Sequence, residues 1–201
     1  MKKVIHLRVH GCNTLKRRDE ISYEEHYENY REPLREDFNH ICGYCGKSEL
    51  VTTKGFEIDH LTPNKIDSSR SEDYTNLVYS CFTCNRKKGG KWPTLDKDIL
   101  HNDTEGFVDP TSEEYDIHLG RDDKGNIIFL TPLGKYMHTT AFKFNIRPTS
   151  IVWKIMNILD RKEKLRLKRS KGNLSSEQID EYIKIDEQLT QLQTFLFEKG
   201  E

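Results

Sequence analysis

The sequence predicts an α+β chain in which a small cysteine-bracketed module of short strands and turns sits between helical flanks. Three observations predict it. Two Cys-x-x-Cys pairs, Cys42/Cys45 and Cys81/Cys84, enclose 35 residues. A brief alternating run at residues 56–60 lies inside that interval, and residues 151–196 repeat apolar positions at helical spacing. The chain then divides into an N-terminal arm and helix (1–37), the cysteine-bracketed core (38–93), an acidic connector with a hairpin (94–148) and a C-terminal helical hairpin (149–201).

Each element has a local reason. Residues 4–9 read as a short strand or extended arm. Ser22 is placed to cap a helix whose first turn carries Glu24 and Glu25 at the positive end of its dipole, and Pro33 interrupts that helix or begins another. Residues 56–60 alternate as a brief strand, 64–71 form a loop, and 74–85 look like a short helix or turn leading to the second cysteine pair. Residues 115–119 and 126–130 flank Asp123-Lys124-Gly125-Asn126, a hairpin turn. Ile151, Ile155, Ile158, Leu159, Leu165 and Leu167 outline one long helix that Gly172-Asn173 stops. Ser175-Ser176-Glu177-Gln178 supplies a capping box for the next, whose apolar face holds Ile179, Tyr182, Ile183, Ile185, Leu189, Leu192 and Leu196.

Composition bounds the function classes. The 201 residues are 34% hydrophobic and 32% charged, with mean hydropathy -0.81, so the core is modest and the surface heavily solvated. No run approaches the ~20 apolar residues that cross a bilayer, and the start lacks a secretory apolar stretch, so a cytoplasmic protein with no membrane partner is expected. The net charge of -1 is unevenly spread. Residues 19–37 hold eight acids against two bases and 94–123 ten against two, whereas 161–171 hold seven bases against Glu163. Such runs polarise a surface or merely solvate helix faces.

Two Cys-x-x-Cys pairs in a reducing compartment point to a metal. Four thiolates complete a tetrahedral zinc shell and leave no position for catalysis, so Cys42, Cys45, Cys81 and Cys84 are expected to hold a structural zinc. Such a site supplies on the order of 10 kcal/mol of folding free energy to a module with little apolar burial. Cys12 is the one left over, and reads as a small buried hydrophobe.

Between and beside the pairs stand Asp59-His60-Leu61-Thr62-Pro63, Asn76-Leu77-Val78 and Cys84-Asn85-Arg86-Lys87-Lys88. Hydrolysing a phosphodiester needs a deprotonated water, a cation for the charge building on phosphate, and a stabilised leaving oxygen. An imidazole, whose ordinary pKa is ~6.5, accepts a proton near neutrality, which suits His60. Asp59 offers a hard anionic oxygen and Asn85 a carbonyl oxygen, a donor set for magnesium or manganese. Neighbours on a strand point to opposite faces, so Asp59 and His60 share one site only where the backbone bends or the two flank a groove. Arg86, Lys87, Lys88 and Lys91 follow Asn85 and are placed to touch phosphates.

This order of motifs over residues 38–91 resembles the HNH endonucleases, in the subgroup where two cysteine pairs bracket a ββα-metal core and asparagine replaces the last histidine. The resemblance implies that His60 activates water, that Asp59 and Asn85 hold the catalytic ion, that Asp59 and His60 stand at a strand end, and that Asn76 ties the loop between the strands. Residues 107–110, 125–128 and 130–134, with the helices after them, more loosely resemble bacterial defence-associated HNH nucleases, including the nuclease subunit of Septu-type systems and retron-linked relatives. That implies an anti-phage role beside an ATPase partner. DNA is the expected substrate. The rival reading is a zinc-ribbon module that binds nucleic acid or protein without catalysis.

Overall fold

The computed structural model describes residues 4–8, 15–52, 54–170, 172 and 175–198. Cys12, residue 9 of the expected arm, Asn173 of the expected helix stop and the side chain of Leu196 lie outside these.

From the arm, Ile5 forms a single antiparallel bridge with Arg121. A 3-10 turn at Tyr27–Tyr30 runs into the first helix, α1 (Arg31–Asp37). The cap position is His26, whose side chain makes no capping hydrogen bond, so Ser22 is not the cap expected from the sequence. Pro33 sits in the first turn of α1, where backbone N–H groups have no helical acceptor and its missing donor costs nothing. Buried Leu34 and Phe38 seat the helix on the core, and Arg31 Nη1 donates to the Phe56 carbonyl at 2.9 Å.

The centre is a ββα unit. Strands β1 (Phe56–His60) and β2 (Leu77–Cys81) pair antiparallel, with Phe56 opposite Cys81 and His60 opposite Leu77. Helix α2 (Phe82–Lys88) leaves β2 without a loop. Here the structure corrects the sequence reading of 74–85: only Tyr74–Asn76 is a helical turn, and 77–81 is a strand. All five β2 residues are buried, so the polar alternation that marks a half-buried strand is missing.

After α3 (Tyr115–His118), strands β3 (Leu119–Arg121) and β4 (Ile127–Phe129) form the second hairpin, with α4 (Pro132–Lys135) beyond it. Residues 115–118 are thus a helical turn rather than part of the strand expected there. Gly125 closes the hairpin turn at φ +87°, and a Cβ on it would stand 2.3 Å from Cδ1 of Trp153, so the turn requires glycine twice over. Phe107, Tyr115, Leu119, Leu133, Met137, Phe142 and Phe144 share one buried cluster with Leu34, Tyr44 and Leu77. The acidic stretch after residue 94 is therefore wrapped onto the ββα unit.

Helices α5 (Thr149–Ser170) and α6 (Ser176–Glu198) pack together around Val152, Ile155, Met156 and Leu189, and Val51 joins that smaller cluster. The start of α6 is the expected capping box: Gln178 N donates to Ser175 Oγ at 3.3 Å and Ser175 N to Gln178 Oε1 at 3.1 Å. No helix among the described residues is long and apolar enough to cross a membrane.

Candidate active site and zinc centre

The two knuckles meet because backbone and helix geometry bring them together. Cys42 N donates to the Lys47 carbonyl and Gly43 N to Tyr79 of β2. Gly43 lies so close to Phe38 and Val78 that a Cβ would stand 2.7 and 2.9 Å from their side-chain carbons. Cys81 precedes the first residue of α2 and Cys84 lies in its first turn, so a single helix start carries both thiols of the second pair.

All four sulfurs lie within 4.8 Å of one another and are buried, and Cys45 Sγ is 3.8 Å from Cys81 Sγ. A tetrahedron of ~2.3 Å zinc–sulfur bonds has edges of ~3.8 Å. The donors therefore fit zinc in number, chemistry and spacing. Four thiolates around Zn²⁺ carry a net double negative charge, and cations surround them. Arg147 Nη1 donates to Cys84 Sγ at 3.3 Å, and Arg121, 1% exposed, donates to the carbonyls of Cys45, Leu7 and Gly125. Burial pushes the Arg121 guanidinium down to about 10, still a cation at neutral pH. Without an ion, burial pushes the Cys42 and Cys84 thiols up while hydrogen bonds from neighbouring thiols pull Cys45 and Cys81 down.

On β1, Glu57 and Asp59 share the face toward α2, as strand alternation requires. Asp59 Oδ2 accepts from Tyr44 Oη at 2.5 Å and pairs with Lys88 Nζ at 3.0 Å. Lys88 Nζ also donates to the His60 carbonyl at 2.6 Å. Burial pushes the Asp59 carboxyl up, against the opposing pull of Lys88 and of the Tyr44 hydrogen bond. One turn earlier in α2, Asn85 Nδ2 donates to Glu57 Oε2 at 2.6 Å and Arg86 Nη2 to Glu57 Oε1 at 2.9 Å. Because a carboxylate only accepts, Glu57 fixes which end of the Asn85 amide faces it, and Oδ1 is left to point elsewhere.

His60 ends β1. Its Nε2 lies 2.9 Å from the Ser71 carbonyl, and its ring stands 4.7 Å from the Tyr27 ring at 70°. Asn76, fully buried, accepts from Thr62 N at 2.8 Å and donates to the carbonyls of Thr62 and Arg70 at 3.1 and 3.2 Å. All its amide contacts go to backbone of the loop between the strands.

The structure thus gathers Asp59, Lys88 and Tyr44 into one buried group and Asn85 with Glu57 into another. No hydrogen bond among the described residues joins Asp59 to Asn85. His60 lies across the pleat from Asp59, near enough that a proton on its ring would favour the ionised carboxyl. Lys88 departs from the expectation that it touches phosphate: three residues after Asn85 it shares the strand-facing side of α2, and its side chain is 0% exposed. Arg86 is exposed but paired with Glu57, and Lys87 and Lys91 are exposed. Sequence reasoning missed Glu57, Tyr44, Tyr27 and Ser71. Glu57 was discoverable, two residues before Asp59 on an alternating strand; Ser71 acts through its carbonyl, which any residue supplies.

Residues 42–91, about a quarter of the chain, match the family model described as HNH endonuclease. That segment is an HNH domain, from a family of nucleases. No curated protein and no solved structure matches the chain.

Proposed function

We propose that the protein is a metal-dependent endonuclease that hydrolyses phosphodiester bonds in DNA, with His60 as general base. One contact carries this reading. A carbonyl oxygen cannot donate, so the hydrogen bond to Ser71 requires the His60 proton on Nε2. The neutral ring then holds its lone pair on Nδ1. An imidazole oriented by a backbone carbonyl, with its other nitrogen free to accept, is the arrangement general-base catalysis needs.

The oxygen donors suit a hard divalent cation. Asp59 Oδ2 and Asn85 Nδ2 are taken by Tyr44, Lys88 and Glu57, which leaves one carboxylate oxygen and one amide oxygen. Magnesium and manganese accept such a sparse set and complete their shells with water and phosphate oxygens. A cation there would neutralise charge building on the phosphate and steady the departing oxygen. His60 Nδ1 takes a proton from water, the water oxygen bonds to phosphorus, and the phosphorus–oxygen bond to the leaving sugar breaks. Asn76 holds the loop carrying Thr62 and Arg70, and Ser71 orients the ring. Lys88 keeps Asp59 ionised inside the protein.

The finer role, a nuclease of anti-phage defence working beside an ATPase, rests on the resemblance of residues 107–110, 125–128 and 130–134 and the helices after them to defence-associated HNH proteins.

The test is plasmid incubated with the purified chain and magnesium. Nicking that His60→Ala abolishes, with zinc content unchanged, supports the enzyme. Undiminished nicking in that variant removes His60 from the mechanism. Binding without cleavage in every divalent ion favours the non-catalytic zinc module.

A further inference from the structure

Many cations among the described residues are paired with carboxylates of the same chain. The basic run of α5 is laced to carboxylates: Arg161 to Glu181, Lys162 to Asp186, Lys164 to Asp160 and Arg166 to Glu163. Arg18 and Arg35 likewise hold acids of α1 and of the turn at Glu49–Val51. Other lysines among the described residues are left unpaired, and several of these lie together around the end of α2. Among the described residues, Lys65, Lys87, Lys91 and Lys143 make no ion pair with a carboxylate, and all but the half-buried Lys143 are exposed.

Two contacts, and the charge of Lys143 acting on Lys91, bring these side chains together. Lys91 Nζ donates to the Lys87 carbonyl in the last turn of α2. Lys65 lies across Gly90, where a Cβ would stand 2.7 Å from its Cε and 3.0 Å from its Nζ. Lys143 is in the left-handed region at φ 56°, a conformation costing a lysine ~1–2 kcal/mol. It stands between Phe142 and Phe144, buried rings stacked 5.3 Å apart, which anchor its backbone to the core. The Lys91 ammonium is held below its ordinary value, first by partial desolvation at the exposed helix end and then by Lys143, Lys87 and Lys88. Like charges gathered at a cost in repulsion and backbone strain are the footprint of an anionic partner.

We infer that Lys65, Lys87, Lys91 and Lys143 form a phosphate-binding face that carries the nucleic-acid backbone from the HNH segment onto the C-terminal part of the chain. The face begins one residue from the candidate active site, since Lys87 precedes Lys88, which contacts both Asp59 and the His60 carbonyl from the buried side of α2. Lys143 lies far outside residues 42–91, so the substrate path is built by more than the HNH segment. The ligand chemistry is the phosphodiester backbone, which DNA and RNA share. This inference rests on reading the chain as a nuclease.

The experiment measures binding apart from cleavage. The full chain carrying His60→Ala is titrated into a short fluorescent DNA duplex, and in parallel into the RNA duplex of the same sequence, over a series of salt concentrations. Lys143→Gln and Lys65→Gln are each expected to weaken binding several-fold and to flatten the slope of log K against log salt by ~0.9 for DNA. Lys162→Gln, whose ammonium is already paired with Asp186, should leave both unchanged. Equal loss with both duplexes means recognition of the backbone alone; loss with one names the substrate. An unchanged slope for the Lys143 and Lys65 variants, or no binding of either duplex, overturns the face. Wild-type cleavage alongside an unchanged slope leaves the nuclease reading intact. A lysine-dependent slope without wild-type cleavage upholds the face and sinks that reading.

Discussion

Lys88 Nζ lies 3.0 Å from Asp59 Oδ2, in a pair whose side chains are 0% and 8% exposed. Few ion pairs are removed so completely from water, and the reason is local. Asp59 is the fourth residue of β1, Lys88 is the last of a short helix, and Tyr44 Oη and the His60 carbonyl give the pair further hydrogen bonds at Asp59 Oδ2 and Lys88 Nζ. Removing one partner of such a pair strands a charge in the interior.

Lys88→Met is therefore expected to destabilise the chain by ~3–5 kcal/mol, and Lys88→Met with Asp59→Asn by markedly less. Urea denaturation of the three proteins checks it. Equal losses for the single and double variants would show that lost packing, rather than the stranded carboxylate, sets the cost.

Zinc should hold the fold together. One zinc per chain is expected by metal analysis, and Cys84→Ser or a strong chelator should remove on the order of 10 kcal/mol, enough to unfold the domain. Unchanged circular dichroism and melting temperature after complete zinc loss would show that the apolar core suffices.

Asn76 spends its entire amide on backbone. Asn76→Ala leaves the buried Thr62 N and the Thr62 carbonyl without partners and leaves the Arg70 carbonyl only the longer bond from Asp73 N, and a loss of ~2–4 kcal/mol is expected. Asn76→Asp keeps the acceptor for Thr62 N but replaces both donors with a buried charge, so it should be no better. Cleavage should fall with both because the loop that holds Arg70 and Ser71 loosens. A stable Asn76→Ala protein with full activity would remove the role.

Glu49 gives a pH dependence whose sign is set. Hydrogen bonds from Arg35, then Tyr79 and His40, hold its carboxyl down to about 2 from the ordinary 4.5. A lowered carboxylate contributes stability that is present above the unfolded value and lost as pH falls through the folded one. At most about 3 kcal/mol, reduced to about 2 by solvent screening of the partly exposed Arg35 and His40, should therefore disappear between about pH 4.5 and about 2, and Glu49→Gln should lack that part of the acid transition. An identical acid midpoint in the variant would contradict the assignment.

Much of this was legible in the sequence, for identifiable reasons. The four cysteines, β1, the turn around Gly125 and the capping box at Ser175 are local patterns with one physical solution each. β2 was not, because five consecutive buried residues carry no period. Lys88 was misread for the opposite reason: beside Arg86 and Lys87 it looks like one more solvated cation, and only the packing of α2 on β1 turns it inward. The clustering of Lys65 and Lys143 with the end of α2 depends on contacts across the chain that no local pattern records.

The proton on His60 is the most direct test. In long-range proton–nitrogen spectra of protein labelled at histidine nitrogen, above the pH at which the ring is protonated, His60 is expected as the Nε2–H tautomer with an unprotonated Nδ1. A ring carrying its proton on Nδ1 would mean that Ser71 does not orient it and that the nitrogen assigned to water activation has no lone pair to offer.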